Sequence, residues 1–154
     1  MEETKKNADF DAALNSLCES ISELQKPYYQ SDLLPFEAYS STLSQKIKES
    51  VSAYRDSLNK GYTLVLEHIK KNHASELERY RIGPKIEKIV SEDEDLLDVL
   101  EEKKVLQAVF QYDGKMMRQI YEFADSLFEE KKFAEAADVF LFLISLNPYI
   151  CWFW

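Results

Sequence analysis

The feature that most constrains this chain is a pair of short apolar patterns near its carboxyl end. In residues 120–127 and again in 133–144, apolar side chains recur at the spacing of an amphipathic helix. Four charged residues, 129–132, separate the two patterns. The second pattern stops before Pro148, because proline cannot continue a helix and disfavours the α conformation in the residue before it. Together they predict two short helices joined by a tight turn, which is a helical hairpin.

Small residues stand where the two predicted helices should cross. Ala124 and Ala136 permit a close approach, and Phe133 and Phe140 are expected to fill the space beside them. This hairpin resembles one tetratricopeptide repeat, a helix–turn–helix unit of about 34 residues with small, aromatic and proline positions at fixed offsets. The resemblance predicts that the repeat is packed by Ile120, Ala124, Leu127, Phe133, Ala136, Phe140 and Pro148.

The repeat divides the chain into segments. Residues 117–150 are the repeat, and 151–154 are the start of a truncated second repeat. Because one repeat cannot bury its apolar face alone, we expect the sequence to be the front part of a longer protein. Residues 1–83 are predicted to form an N-terminal helical hairpin with one long helix, and 84–116 to form connecting helices. The predicted fold class is all-α, a hairpin or bundle followed by the start of a tetratricopeptide-repeat solenoid.

Two apolar stripes predict the N-terminal hairpin. In residues 8–25 the stripe repeats at alternating spacings of four and three, the a/d seam of a coiled coil. In residues 37–81 a longer stripe predicts one long helix, straight or bent, that ends at Gly83-Pro84. Gly61 is its weak point, since glycine inside a helix costs roughly 1 kcal/mol against alanine. Such a long stripe packs along a partner helix, in the same chain or a second copy, and we therefore expect a homo-oligomer.

Local signals refine this outline. Ser91 and Glu94 have the spacing of a capping box, which predicts that a helix begins there. The 154 residues include only three glycines and four prolines, which indicates long helices and few turns.

Charge and cysteine usage exclude several classes of partner. The net charge of −9 makes nucleic acid or an anionic membrane surface a poor partner. Cys18 and Cys151 are far apart and lack metal-site spacing, so they are read as small apolar fillers in a reducing compartment. No apolar run reaches transmembrane length and no signal peptide is recognised. The expected location is the cytoplasm, with no membrane insertion.

The sequence shows no pattern of residues that would indicate a catalytic site. His68 and His73 are five apart and do not share a helical face as i, i+4 metal ligands would. No nucleophile–base signature and no glycine-rich phosphate loop is present. The sequence therefore predicts a protein that is not an enzyme and that has no metal or cofactor.

Residues 105–154 carry a narrower resemblance. A short apolar helix precedes a turn, Ile120-Tyr121 and Ala124 open the repeat, and a polar turn leads to the second helix. This arrangement is similar to the class II type III secretion chaperones, bacterial tetratricopeptide proteins that hold translocator or gatekeeper proteins before export. The resemblance implies a bacterial cytoplasmic chaperone whose partner is a secreted protein or another secretion component. The chain departs from the family at the turn glycine, where Glu130 or Lys131 stands, and in its longer amino-terminal region.

The first helix of a repeat lines the concave face of a solenoid, and that helix supplies the candidate binding residues. Three of its residues lie to one side of the positions that are expected to pack inside the hairpin, such as Phe123. These three residues, Tyr121, Asp125 and Phe128, are predicted to contact an extended segment of the partner. Tyr121 and Phe128 could instead cover the preceding helix around residues 109–110. The alternative function is a coiled-coil or helical scaffold that self-associates and uses the repeat as a general docking module.

Overall fold

A computed structural model describes residues 2–30, 32–92 and 95–150 of the chain. Those residues form helices, turns and loops without a β-strand, so the all-α prediction is confirmed for them. No helix in these ranges has both the length and the apolar character that crossing a membrane requires. The proposed start of a second repeat, 151–154, lies outside the described residues. The helices are α1 Glu2–Gln25, α2 Phe36–Asn72, α3 Leu77–Tyr80, α4 Gly83–Ser91, α5 Leu96–Lys103, α6 Leu106–Val109, α7 Gly114–Glu129 and α8 Phe133–Leu146.

The chain folds as two compact units, Met1–Arg55 and Asp56–Trp154. The division falls inside α2, whereas the sequence placed a boundary at residue 83. In the first unit α1 packs on the early part of α2 through small side chains. Cys18 is buried and free, with its Sγ 3.7 Å from the carbonyl oxygen of Ser44. This agrees with its interpretation as a filler, while Cys151 lies outside the described residues.

The heptad seam predicted for α1 is only partly used. Leu14 is buried and Ile21 half-buried, but two other seam positions, Leu17 and Leu24, are 46% and 70% exposed. The buried face instead continues through Cys18 and Ser22, one helical turn apart. These small side chains let α2 come close, and the Ser40 hydroxyl of α2 donates a hydrogen bond to Ser22 Oγ at 2.9 Å. Contact through small polar groups therefore replaces a leucine seam.

The prediction of one long helix to residue 81 is wrong in its last part. Helix α2 ends at Asn72, and His73 adopts φ −141° and ψ 46°, which breaks the helix before a 3₁₀ turn and α3. The break folds Tyr80 into the core, where its hydroxyl donates to Gln119 Oε1. Gly83-Pro84 opens α4 rather than closing a helix, because proline in a first turn needs no N–H partner.

The capping box predicted at Ser91 is not formed. Ser91 is the last residue of α4, and its hydroxyl donates to the carbonyl oxygen of Lys88 at 2.7 Å. The hydroxyl therefore serves a helix end and not a helix start, while Glu94 lies outside the described residues.

Turns without glycine explain how a glycine-poor chain forms so many short helices. Lys104, Gln111 and Lys131 take left-handed φ values of 72°, 55° and 63° at the ends of α5, α6 and α7. After α7, the amide of Lys132 donates to Leu127 O at 2.9 Å and that of Lys131 to Phe128 O at 3.0 Å. This is the Schellman arrangement, usually built with glycine. Few glycines thus did not mean few turns, and of Glu130 and Lys131 it is Lys131 that takes the left-handed conformation between α7 and α8.

The core of the second unit lies where the later part of α2 meets α7 and α8. At Gly61 a side chain is sterically excluded, since a Cβ there would overlap the carbonyl oxygen of Asp138. It would also lie 2.7 Å from that carbonyl carbon and 3.1 Å from Phe142 Cβ. The glycine that weakens α2 as a helix therefore permits close packing of α2 on α8. The buried residues of this core are Val65, Ile69, Tyr80, Val109, Phe110, Tyr112, Met116, Met117, Ile120, Ala124, Leu127, Ala136, Val139, Phe142, Leu143 and Leu146.

Candidate functional site: an aromatic face on a helical hairpin

The hairpin predicted from the sequence is present as α7 and α8. Asp113 caps α7, because its Oδ1 accepts a hydrogen bond from the amide of Met116 at 2.8 Å. Helix α8 ends at Leu146, and Asn147 before Pro148 is extended with φ −154° and ψ 98°, which confirms the predicted stop. Ala124 and Ala136 are 0% and 1% exposed. Ile120 and Leu127 are buried with them, so these four residues belong to the apolar core that the two helices share.

Helix α2 covers one face of this hairpin. The imidazole of His68 stacks on the ring of Phe123 in α7, with centroids 4.0 Å apart and an interplanar angle of 16°. Tyr62 meets Phe142 of α8 with centroids 5.4 Å apart. Phe123 was expected inside the hairpin, but it is partly buried against α2 instead. Side chains of both α7 and α8 therefore pack against α2 on this face of the hairpin.

Four aromatic rings lie on the opposite side of the hairpin. Tyr121 of α7 meets Phe140 of α8 edge to face at 5.9 Å, and Phe128 meets Phe133 in the same way at 5.2 Å. The pairs progress in opposite directions along the two helices, as antiparallel packing requires. Phe128 and Phe133 are each 56% exposed. We call Tyr121, Phe128, Phe133 and Phe140 the aromatic face.

The candidate binding residues predicted from the sequence fall on this face or beside it. Tyr121 and Phe128 belong to it, and Asp125 is exposed between them on α7. An exposed Phe128 paired with Phe133 differs from the alternative in which it covers residues 109–110, which are themselves buried in the core.

Two members of the aromatic face were assigned a different role by the sequence. Phe133 and Phe140 were expected to fill the space beside Ala124 and Ala136, yet Phe133 is more than half exposed and Phe140 only partly buried. The reason is their position around the helix axis. Residues 133, 137, 140 and 144 form one stripe along α8, and this stripe lies beside the stripe of buried residues 136, 139 and 143. Separating these two stripes in α8 would have revealed the face.

Comparison with known proteins assigns no family to this arrangement. No protein family, no curated protein and no solved structure matches the chain. The resemblance of residues 105–154 to secretion chaperones stays a hypothesis.

The two histidines come together despite their spacing. His68 lies on α2, and the break at His73 brings the two rings to 6.3 Å between centroids. Both line a cavity of about 200 Å³ together with Gln119, Glu122 and Ser126 of the facing helix. Among the residues that the structure describes, no three His, Cys, Asp or Glu side chains are placed to hold a metal ion.

The His68 contact predicts a loss of stability in mild acid. Burial lowers the pKa of His68, and the nearby charges of His73 and Lys71 lower it further. In the unfolded chain His68 takes up a proton as the pH falls through about 6.5, whereas in the folded chain it does so only at lower pH. The unfolded state then binds more protons, so the stability present above pH 6.5 is lost as the pH falls through the folded pKa.

The variant His68→Phe isolates this effect, since phenylalanine keeps a ring against Phe123 but cannot be protonated. Urea unfolding at about pH 7.5 and 5.5 should show a smaller loss in the variant than in the parent chain. Asp113 and Glu76 also have lowered pKa values, held by the Met116 amide and by Lys115, but they act near and below about pH 4. The same pH dependence in both proteins would show that His68 is not responsible.

Proposed function

We propose that the chain is a binding protein that holds a segment of another protein against the aromatic face of α7 and α8. The observation that carries this proposal is the pair Phe128–Phe133, two large rings that are each 56% exposed on an ordered hairpin. Exposed contiguous apolar surface of this kind marks interaction sites, because leaving it in water is unfavourable. Aromatic side chains are also the residues that contribute most to binding energy at protein interfaces.

We further propose that the partner is an export substrate or another secretion component, as for a type III secretion chaperone. This narrower assignment rests on the resemblance of residues 105–154. The hairpin supports it in one respect, because Ala124 and Ala136 are buried as the small positions of a repeat should be. Isolation of the chain from its native cell, with identification of the bound protein, tests this assignment. A co-purified secreted protein or a component of a secretion system is expected, and a partner unrelated to secretion would refute the chaperone assignment.

The scaffold alternative has its own supporting observation. Leu17, Leu24 and Tyr54 are exposed in the first unit, on helices whose apolar stripes are partly unburied. If the native isolate contains only further copies of this chain, self-association becomes the better account of that surface. Whether the chain is a chaperone or a scaffold, its assembly into a homo-oligomer is a proposal.

Removing the two rings of α7 tests where a partner binds. The double variant Tyr121→Ala/Phe128→Ala should weaken binding of the co-purified partner by about tenfold or more, since each interface aromatic of this kind contributes roughly 1 kcal/mol or more. Helical content should be kept, because Phe128 is exposed and Tyr121 only half-buried.

Tyr149→Ala provides the control, as Tyr149 is also exposed but lies after the end of α8. Its affinity for the partner should equal that of the parent chain. Equal loss of affinity and of fold in the double variant would assign Tyr121 and Phe128 to the core. Unchanged affinity would place the partner elsewhere on the chain.

A further inference from the structure

The aromatic face has too few polar groups to form hydrogen bonds with the backbone of an extended peptide. An extended segment carries unpaired backbone N–H and C=O groups, and burying them without hydrogen bonds is costly. The backbone groups of α7 and α8 are already used within the helices. Besides its rings, the face presents alanine and aliphatic side chains at residues 137, 141 and 144, with the carboxylate of Asp125 at its edge. Among the described residues of the face, the Tyr121 hydroxyl and the Asp125 carboxylate are the only polar side-chain groups, too few to pair the backbone of an extended segment.

A partner helix avoids this difficulty, because it satisfies its own backbone hydrogen bonds. Two antiparallel helices also present a surface on which a third helix can pack its side chains. An amphipathic helix laid on an apolar groove is a recurring mode of peptide recognition. The shape and chemistry of the aromatic face therefore favour a helical partner segment.

The charges beside the face are unequal on its two edges. On α7, the exposed side chains of Arg118, Asp125 and Glu129 follow one edge at helical spacing. Two are carboxylates, and the ion pairs within the described ranges engage other carboxylates. The α8 edge, residues 134, 137 and 141, is uncharged. A partner would thus meet the carboxylates of Asp125 and Glu129 on the α7 edge and no charged side chain at these α8 positions.

We propose that the aromatic face takes an amphipathic α-helix of the partner with a basic edge, oriented so that its Lys and Arg residues lie beside α7 and its apolar residues lie over the rings. This inference deepens the proposed function and rests on it. The net charge of −9 reinforces the preference, since complementary charge speeds encounter and disfavours acidic competitors.

Designed peptides test the two parts of the proposal separately. Three helical peptides would share one apolar face and carry Lys/Arg, Gln or Glu along the polar edge, and a fourth would repeat the basic peptide with a central proline. Titrated against the full chain, the basic peptide should bind about tenfold tighter than the acidic one, and less tightly at higher salt. The proline peptide should lose most of its binding, because proline breaks the helix.

Reversing the charge of two carboxylates on α7 tests whether the α7 edge of the aromatic face selects the basic peptide. Asp125→Lys with Glu129→Lys should abolish or invert the preference for the basic peptide. Glu87→Lys with Glu101→Lys changes the net charge equally on other helices and should preserve the preference. An identical loss in both variants would make the effect one of net charge and would overturn the assigned orientation.

Each remaining outcome also decides the question. Equal binding of basic and acidic peptides would overturn the charged edge, and undiminished binding of the proline peptide would overturn the helix. If no peptide binds while the native partner still depends on Tyr121 and Phe128, the helix inference fails and the proposed function stands. If the chain self-associates and Phe128→Ala abolishes that association, a second copy occupies the face and the inference is overturned.

Discussion

Replacing Gly61 with alanine should lower the free energy of unfolding by roughly 1–3 kcal/mol, although alanine is the better helix former. The added Cβ would overlap the carbonyl oxygen of Asp138 and crowd Phe142 Cβ at 3.1 Å. Because the obstacle is backbone, it cannot be relieved by rotating a side chain. Either α2 or α8 must shift, which disturbs the core between them. Urea unfolding monitored by far-UV circular dichroism measures the change.

Gly114→Ala is the matched control for Gly61→Ala. Gly114 also lies in a helix, at the start of α7, but nothing lies within 4 Å of a Cβ added there. Its substitution should leave stability unchanged or raise it by up to about 1 kcal/mol, through the lower entropy of the unfolded chain. If Gly61→Ala also stabilises the protein, then α2 does not approach α8 as closely as described.

Ala136→Leu should destabilise the hairpin by a similar amount, roughly 1–3 kcal/mol. Ala136 of α8 is 1% exposed and Ala124 of α7 is 0% exposed, and both belong to the same buried core. Because protein interiors are closely packed, the larger leucine side chain would have to displace its buried neighbours. The same unfolding experiment provides the measurement.

The control for this substitution is Ala134→Leu, two residues earlier in α8. Ala134 is exposed, so leucine can extend into solvent and the midpoint should hardly change. A midpoint unaffected by Ala136→Leu would mean that the helices do not cross at this alanine.

The sequence determined the hairpin well because periodicity and proline act locally. The ends of α8 and the burial of Ala124 and Ala136 follow from side-chain spacing alone. The break at His73 could not be read in this way, because the apolar stripe continues across it and the bend is favoured by tertiary packing, such as the burial of Tyr80 in the core. The turn at Lys131 was equally hidden, since lysine gives no local signal for a left-handed conformation.

The candidate site was only partly predicted from the sequence, and the reason is related. Spacing on α7 placed Tyr121 and Phe128 on one side of the helix, but a single helix cannot show which rings of its neighbour they meet. Their pairing with Phe133 and Phe140 depends on the register between α7 and α8. That register is a tertiary property, set by the turn and by the close approach at Ala124 and Ala136.

Photo-crosslinking tests most directly whether a partner lies on the aromatic face. A benzophenone amino acid would replace Phe128 or Phe133 in the full chain, and Tyr54, which is exposed in the first unit, would be replaced in a parallel sample. Each sample would be irradiated with the partner that co-purifies from the native cell. Crosslinks from positions 128 and 133, with none from 54, are the predicted result. Crosslinks from position 54 alone would contradict it and remove the aromatic face as the binding surface.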